Sequence, residues 1–147
     1  MQSYSITSIK YLDAPELYRW IKQGFATSSH LPFQVIDVRG SDYIGGHIVG
    51  GWNYPYSRIS RDLEQLNALK DRLLTECDGD VINCVFHCAQ SQQRGPSAAM
   101  KFLRSLPEEQ LGKFQIWVLR GGFNYWQSAY GKDASVTEGY AEDIWRY

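Results

Sequence analysis

The residues best suited to chemistry are Cys88 and Arg94, separated by Ala89, Gln90, Ser91, Gln92 and Gln93. The spacing alone is a weak signal. Its setting is not: the pair lies between an apolar run, Val81 to Phe86, and a segment opening Arg94-Gly95-Pro96 that reads as a helix, with Pro96 suited to the first turn. A loop of this kind curls successive backbone N–H groups around one point and makes a concave anion site. The following helix adds positive potential. Arg94 brings a planar fork that matches two oxygens of a tetrahedral oxyanion. The same field stabilises a thiolate, the nucleophilic form of cysteine. The expected chemistry is attack by Cys88 on an oxyanion held by Arg94 and by the amides of Ala89, Gln90, Ser91, Gln92 and Gln93. His87 is read as loop support, since neighbours on a strand point to opposite faces. Cys84, inside the apolar run, reads as a small core residue, and Cys77 has no assigned role.

These residues need a scaffold, and the sequence supplies the pattern of one. Asp13-Ala14-Pro15-Glu16 reads as a helix start with Asp13 as cap, Leu17, Trp20 and Ile21 share one face, and Gly24 is the stop. Residues 25–32 read as loop. Phe33 to Val38 is a buried strand. Gly45, Gly46, Gly50 and Gly51 imply tight turns around a short strand at His47-Ile48-Val49. Residues 57–76 read as one helix with Leu63, Leu66, Leu69, Leu73 and Leu74 on its core side, closed by a turn at Asp78-Gly79-Asp80. Phe114 to Leu119 is a third strand, followed by an aromatic helix from Phe123 to Tyr130 whose Phe123, Tyr125 and Trp126 belong to the core. From Gly131 the chain is expected to run over the surface. Strands alternating with helices give an α/β fold with a central parallel sheet flanked by helices on both faces. In such folds the loop after a strand is where ligands bind.

His87-Cys88-x5-Arg94-Gly95-Pro96 resembles the active-site loop of the rhodanese-fold phosphatases, the group of the cell-cycle dual-specificity phosphatases and the fungal arsenate reductases. Asp37-Val38-Arg39 with Tyr43-x-Gly45-Gly46-His47-Ile48 resembles a rhodanese hallmark, and Val118-Leu119-Arg120-Gly121-Gly122-Phe123-x-x-Trp126 resembles another near the end of that domain. The overall organisation is most similar to the small single-domain yeast members. The resemblance implies a single rhodanese-like domain over 1–147, with a core of about residues 6–130 and an extension over 131–147. It also bears on loop length. Sulfurtransferase rhodaneses carry four residues between cysteine and the basic residue, whereas the phosphatases and arsenate reductases carry five, a cradle wide enough for PO4 or AsO4.

The chain departs from that pattern at chemically important places. The cell-cycle phosphatases carry glutamates where this loop has Ala89 and Gln93, so no general acid is readable from the loop. Asp37 and Asp42 are the nearest carboxylates. Asp37 is better explained as structural support. The capturing cysteine of the Asp-x-Arg motif is replaced by Val38. Cys84 is four residues from Cys88 on an extended strand, about 13 Å away, too far for a disulfide. Cys88 is therefore expected to be open to over-oxidation. His47 reads as structural, and Arg39 and Arg120 as anchors for backbone or carboxylates.

Composition narrows the classes. The 147 residues are 44% hydrophobic and 21% charged, with 15 Lys+Arg against 16 Asp+Glu and a net charge of -1. That is a globular balance without the basic footprint of a nucleic-acid binder. No apolar run spans a membrane, the first residues lack the regions of a signal peptide, and three cysteines do not make a disulfide framework. The expectation is a cysteine-dependent phosphatase in the cytoplasm and nucleus, needing no metal or organic cofactor and contacting neither nucleic acid nor membrane. Three alternatives stand: an arsenate reductase drawing on glutathione or a glutaredoxin, a sulfurtransferase, and a non-catalytic binding module.

Overall fold

The structure, a computed structural model, describes residues 9–26, 30–77 and 81–145. The elements in chain order are β1 (Ile9–Leu12), α1 (Ala14–Gln23), β2 (Phe33–Asp37), β3 (His47–Ile48), β4 (Trp52–Asn53), α2 (Tyr56–Ile59), α3 (Leu63–Cys77), β5 (Ile82–His87), α4 (Arg94–Ser105), β6 (Phe114–Leu119), α5 (Gly122–Tyr130) and β7 (Thr137–Glu138). The main sheet has the order β1-β6-β5-β2-β4 and is parallel throughout. β5 is central and every one of its residues is buried, as a strand covered on both faces requires.

The period-2 alternation of β5 sorts its side chains to two cores. Cys84, Phe86 and Cys88 pack with Leu66, Leu69 and Leu73 of α3 and Ala98, Ala99 and Phe102 of α4. Val85 faces the other way, toward Leu17 and Trp20 of α1 and Phe123 and Trp126 of α5. The sheet is thus flanked by helices on both faces, and β5 delivers Cys88 at its end on the α3/α4 side.

Several sequence-based expectations change. The helix expected over 57–76 is two helices. Asp62 separates them, its Oδ1 accepting the N–H of Glu64 at 2.9 Å, the local bond by which Asp favours a helix start over a helix interior. Leu63, expected on the core side, sits at that start and is 66% exposed. Tyr125 is likewise 54% exposed rather than core. Asp13 precedes α1, but its carboxylate accepts Arg120 Nε at 2.8 Å instead of capping; Pro15 and the left-handed Gly24 bound the helix as expected. The short β1 and β4 carry no legible periodicity. The segment after Gly131 does not simply run over the surface: β7 pairs antiparallel with β3, Val136 is fully buried, and Trp145 donates to the Gly45 carbonyl at 2.9 Å. The turn expected at Asp78-Gly79-Asp80 lies outside the described residues.

Candidate active site

Residues 88–93 link β5 to α4 at the carboxyl edge of the sheet. Cys88 is buried, and its Sγ accepts two backbone N–H bonds, from Ser91 at 3.2 Å and from Gly95 at 3.3 Å. Both N–H groups converge on the sulfur where the loop turns into α4, the arrangement of an anion-binding loop at a helix N-terminus. Ser91 reaches this geometry with a left-handed φ of 56°, strain of the kind that clusters at functional sites. Its hydroxyl lies 3.4 Å from the Cys88 N–H. From the sequence Gly95 belongs to the helix start and to the Cys88-x5-Arg94-Gly95-Pro96 motif, with no donor role assigned; its N–H bond to Sγ is seen only in the structure.

The loop is held from behind by α5. The N–H of Phe123 donates to the Cys88 carbonyl at 3.0 Å, and that of Asn124 to the Ala89 carbonyl at 2.8 Å. These are the free amides of a helix N-terminus, used here to pull two loop carbonyls away from the site. Gly121-Gly122 makes the approach possible: a Cβ at Gly122 would lie 2.5 Å from the Ala89 oxygen. The glycine pair in the sequence was the signal for this contact, though its partner could not be read.

Cys88, Gln90, Gln92, Gln93 and Arg94 line an open pocket of about 260 Å³. Ala89 turns its carbonyl to α5 instead, and Ser91 is buried beneath. Arg94 grips Asp42 with both arms, at 2.8 and 2.6 Å. That pairing holds the Asp42 carboxyl down at about 2. It also raises Arg94, with the neighbouring Cys88 sulfur adding to the effect.

His87 and Asp37 do not line the pocket. They are opposed across β2 and β5 and both are buried. His87 Nδ1 is 3.0 Å from the Cys88 carbonyl, and its Nε2 is 3.7 Å from Asp37 Oδ2. Burial pushes the imidazole below 6.5, against the pull of Asp37. Burial also pushes the Asp37 carboxyl up, but the charge available at His87 and the bonds from Arg39 outweigh it and hold it low. Arg39 is fully buried; it donates to Asp37 at 2.7 Å and to the Gly46 carbonyl at 2.9 Å, and its guanidinium stacks 4.3 Å from the centre of the Phe123 ring. Asp37 and Arg39 therefore form an ion-paired support beneath the loop, with His87 beside them, its buried Nε2 without a hydrogen-bond partner among the described residues. His47 is structural as expected, stacked on Tyr43 and 3.3 Å from Glu138.

The Rhodanese-like domain family matches residues 13–129. The chain belongs to this family. It is 59% identical to the CDC25-like phosphatase YCH1 of Saccharomyces cerevisiae, covering 99% of this chain and 100% of that protein. It is 31% identical to Arsenical-resistance protein 2 of the same yeast, over 72% of this chain and 82% of the relative. Among solved structures, a yeast protein tyrosine phosphatase of the Rhodanese family superposes with a TM-score of 0.93 at 58% identity, covering 97% of this chain and 100% of that one. Within the rhodanese frame, the Gly-Gly approach of α5 and the buried Arg39–Asp37 pair are the parts that fix the Cys88 loop in place.

Proposed function

We propose that this protein is a cysteine-dependent phosphatase acting on phosphate monoesters, aryl phosphates or phosphoproteins. One observation carries the reading: a buried cysteine sulfur receives two backbone N–H bonds at the floor of a pocket walled by Arg94 and by glutamines, with no carboxylate in the loop itself. The full-length likeness to a CDC25-like phosphatase supports it.

In the reaction, Cys88 Sγ attacks phosphorus and the bond to the leaving oxygen breaks, giving a phosphocysteine. Water then attacks phosphorus and returns the thiolate. Loop amides and the Arg94 fork hold the equatorial oxygens and stabilise their charge in the transition state. In the free protein neither carboxylate considered from sequence is poised to donate a proton. Asp37 is ion-paired to Arg39, and Asp42 is held ionised by Arg94. The leaving group is served by a proton on the substrate monoanion, or leaves unprotonated as a phenolate.

The likeness to an arsenical-resistance protein favours a second reading, thiol-dependent arsenate reduction by the same loop. Among the described residues no second cysteine reaches Cys88: Cys84 lies four positions back on β5, so the reductant would be an external thiol such as glutathione, alone or through a glutaredoxin. Side-by-side assays of aryl phosphate hydrolysis, glutathione-dependent arsenate reduction and thiosulfate-to-cyanide sulfur transfer decide the matter. Hydrolysis should dominate. Arsenate reduction without hydrolysis at any pH from about 5 to 8 would replace the first reading with the second.

A further inference from the structure

The fork that a substrate oxyanion needs is already occupied. Arg94 Nη1 and Nη2 each hold one oxygen of the Asp42 carboxylate, at 2.8 and 2.6 Å. This is the fork-to-fork geometry that a guanidinium offers to carboxylate and phosphate alike.

Asp42 is placed there by its own segment. Its Oδ1 also accepts the N–H of Gly40 at 3.1 Å. The backbone around it is folded about the fully buried Arg39, which faces the carbonyls of Asp42 and Ile44 at 3.5 Å and of Gly46 at 2.9 Å. The same guanidinium is tied to Asp37 at the end of β2. The carboxylate is thus presented to Arg94 from a braced position rather than by a loose surface side chain. The pair remains open to solvent, with side chains 36% and 41% exposed, which keeps it weak enough to exchange.

We propose that Asp42 is an internal occupant of the oxyanion's place on Arg94, and that substrate enters by exchanging with this carboxylate. The inference rests on the phosphatase reading of the loop. Asp42 thereby acts through Arg94 as a positioning residue that sets oxyanion affinity. It holds the guanidinium beside the pocket in the free protein and is left next to the bound group once phosphate has taken the fork.

The test reads binding rather than turnover: protection of Cys88 from alkylation by iodoacetamide, titrated with inorganic phosphate. Asp42→Asn keeps an acceptor for the Gly40 N–H but removes the charge, and should bind phosphate about 5- to 10-fold more tightly. Asp42→Glu, which keeps the charge, should stay within about twofold of the parent. In an Arg94→Lys background, where no fork exists, the gain from Asp42→Asn should fall below about twofold. Unchanged or weaker binding by Asp42→Asn, with protection intact in the parent, overturns the exchange and leaves the phosphatase reading standing. An equal gain in the lysine background also overturns it, since the effect would then be general charge. Phosphate that protects Cys88 in neither parent nor variant overturns the anion cradle and the exchange together.

Discussion

Gly122 stands so close to Cys88 that a Cβ on it would lie 2.6 Å from the Cys88 carbonyl oxygen. Its φ of 58° is also in the left-handed region, so an alanine there meets backbone on one side and strain on the other. Gly122→Ala should cost about 2–4 kcal/mol of stability. It should also push the loop off its amides on α5, so that kcat/KM falls further than the shift in Tm explains. A variant with parental Tm and activity would show that α5 does not brace the loop.

Cys88→Ser keeps the size and the buried position but replaces the nucleophilic sulfur with a weakly nucleophilic hydroxyl. Turnover of an aryl phosphate should fall by at least about 1,000-fold, while the circular dichroism spectrum and phosphate binding are retained. Activity within tenfold of the parent would remove Cys88 from the reaction.

Arg94→Lys keeps the charge and loses the two-armed grip. Each charge-assisted bond is worth roughly 1.5–3 kcal/mol. Losing one arm in the transition state should lower kcat/KM by about 10- to 200-fold. Steady-state kinetics on one aryl phosphate, at fixed ionic strength, reads this directly. A fully active lysine variant would mean that the position contributes charge alone.

The buried His87 gives stability a pH dependence of known sign. Burial lowers its imidazole below 6.5 in the folded protein, so between that value and 6.5 the unfolded chain binds the extra proton. Stability should then fall as pH drops through about 6.5, at up to about 1.4 kcal/mol per pH unit. His87→Asn, which can still donate to the Cys88 carbonyl, should flatten this limb of a urea-midpoint profile between about pH 7 and 5. Asp37, held below its usual 3.8, should contribute its own loss only at more acid pH. An unchanged slope in the asparagine variant would assign the acid limb elsewhere.

Much of the fold was legible because its signals are local. The strand Phe114–Leu119 coincides with the apolar run that foretold it, and Pro96 and Gly24 mark helix ends as their backbone preferences demand. Cys88 and Arg94 were legible for the same reason: a strand, a loop of fixed length and a helix are contiguous in sequence, so the loop that joins them is set by short-range geometry. What depended on contacts between distant segments was not. Nothing in the sequence pairs Asp42 with Arg94, 52 residues apart, or aims the amides of α5 at the carbonyls of Cys88 and Ala89. Nor does it show that the polar stretch after Gly131 would bury Val136 and lend β7 to β3. Side-chain periodicity reports which face of an element is apolar, but which element covers that face, and which charge meets which, is decided only when β5, β2 and α5 converge at one edge of the sheet.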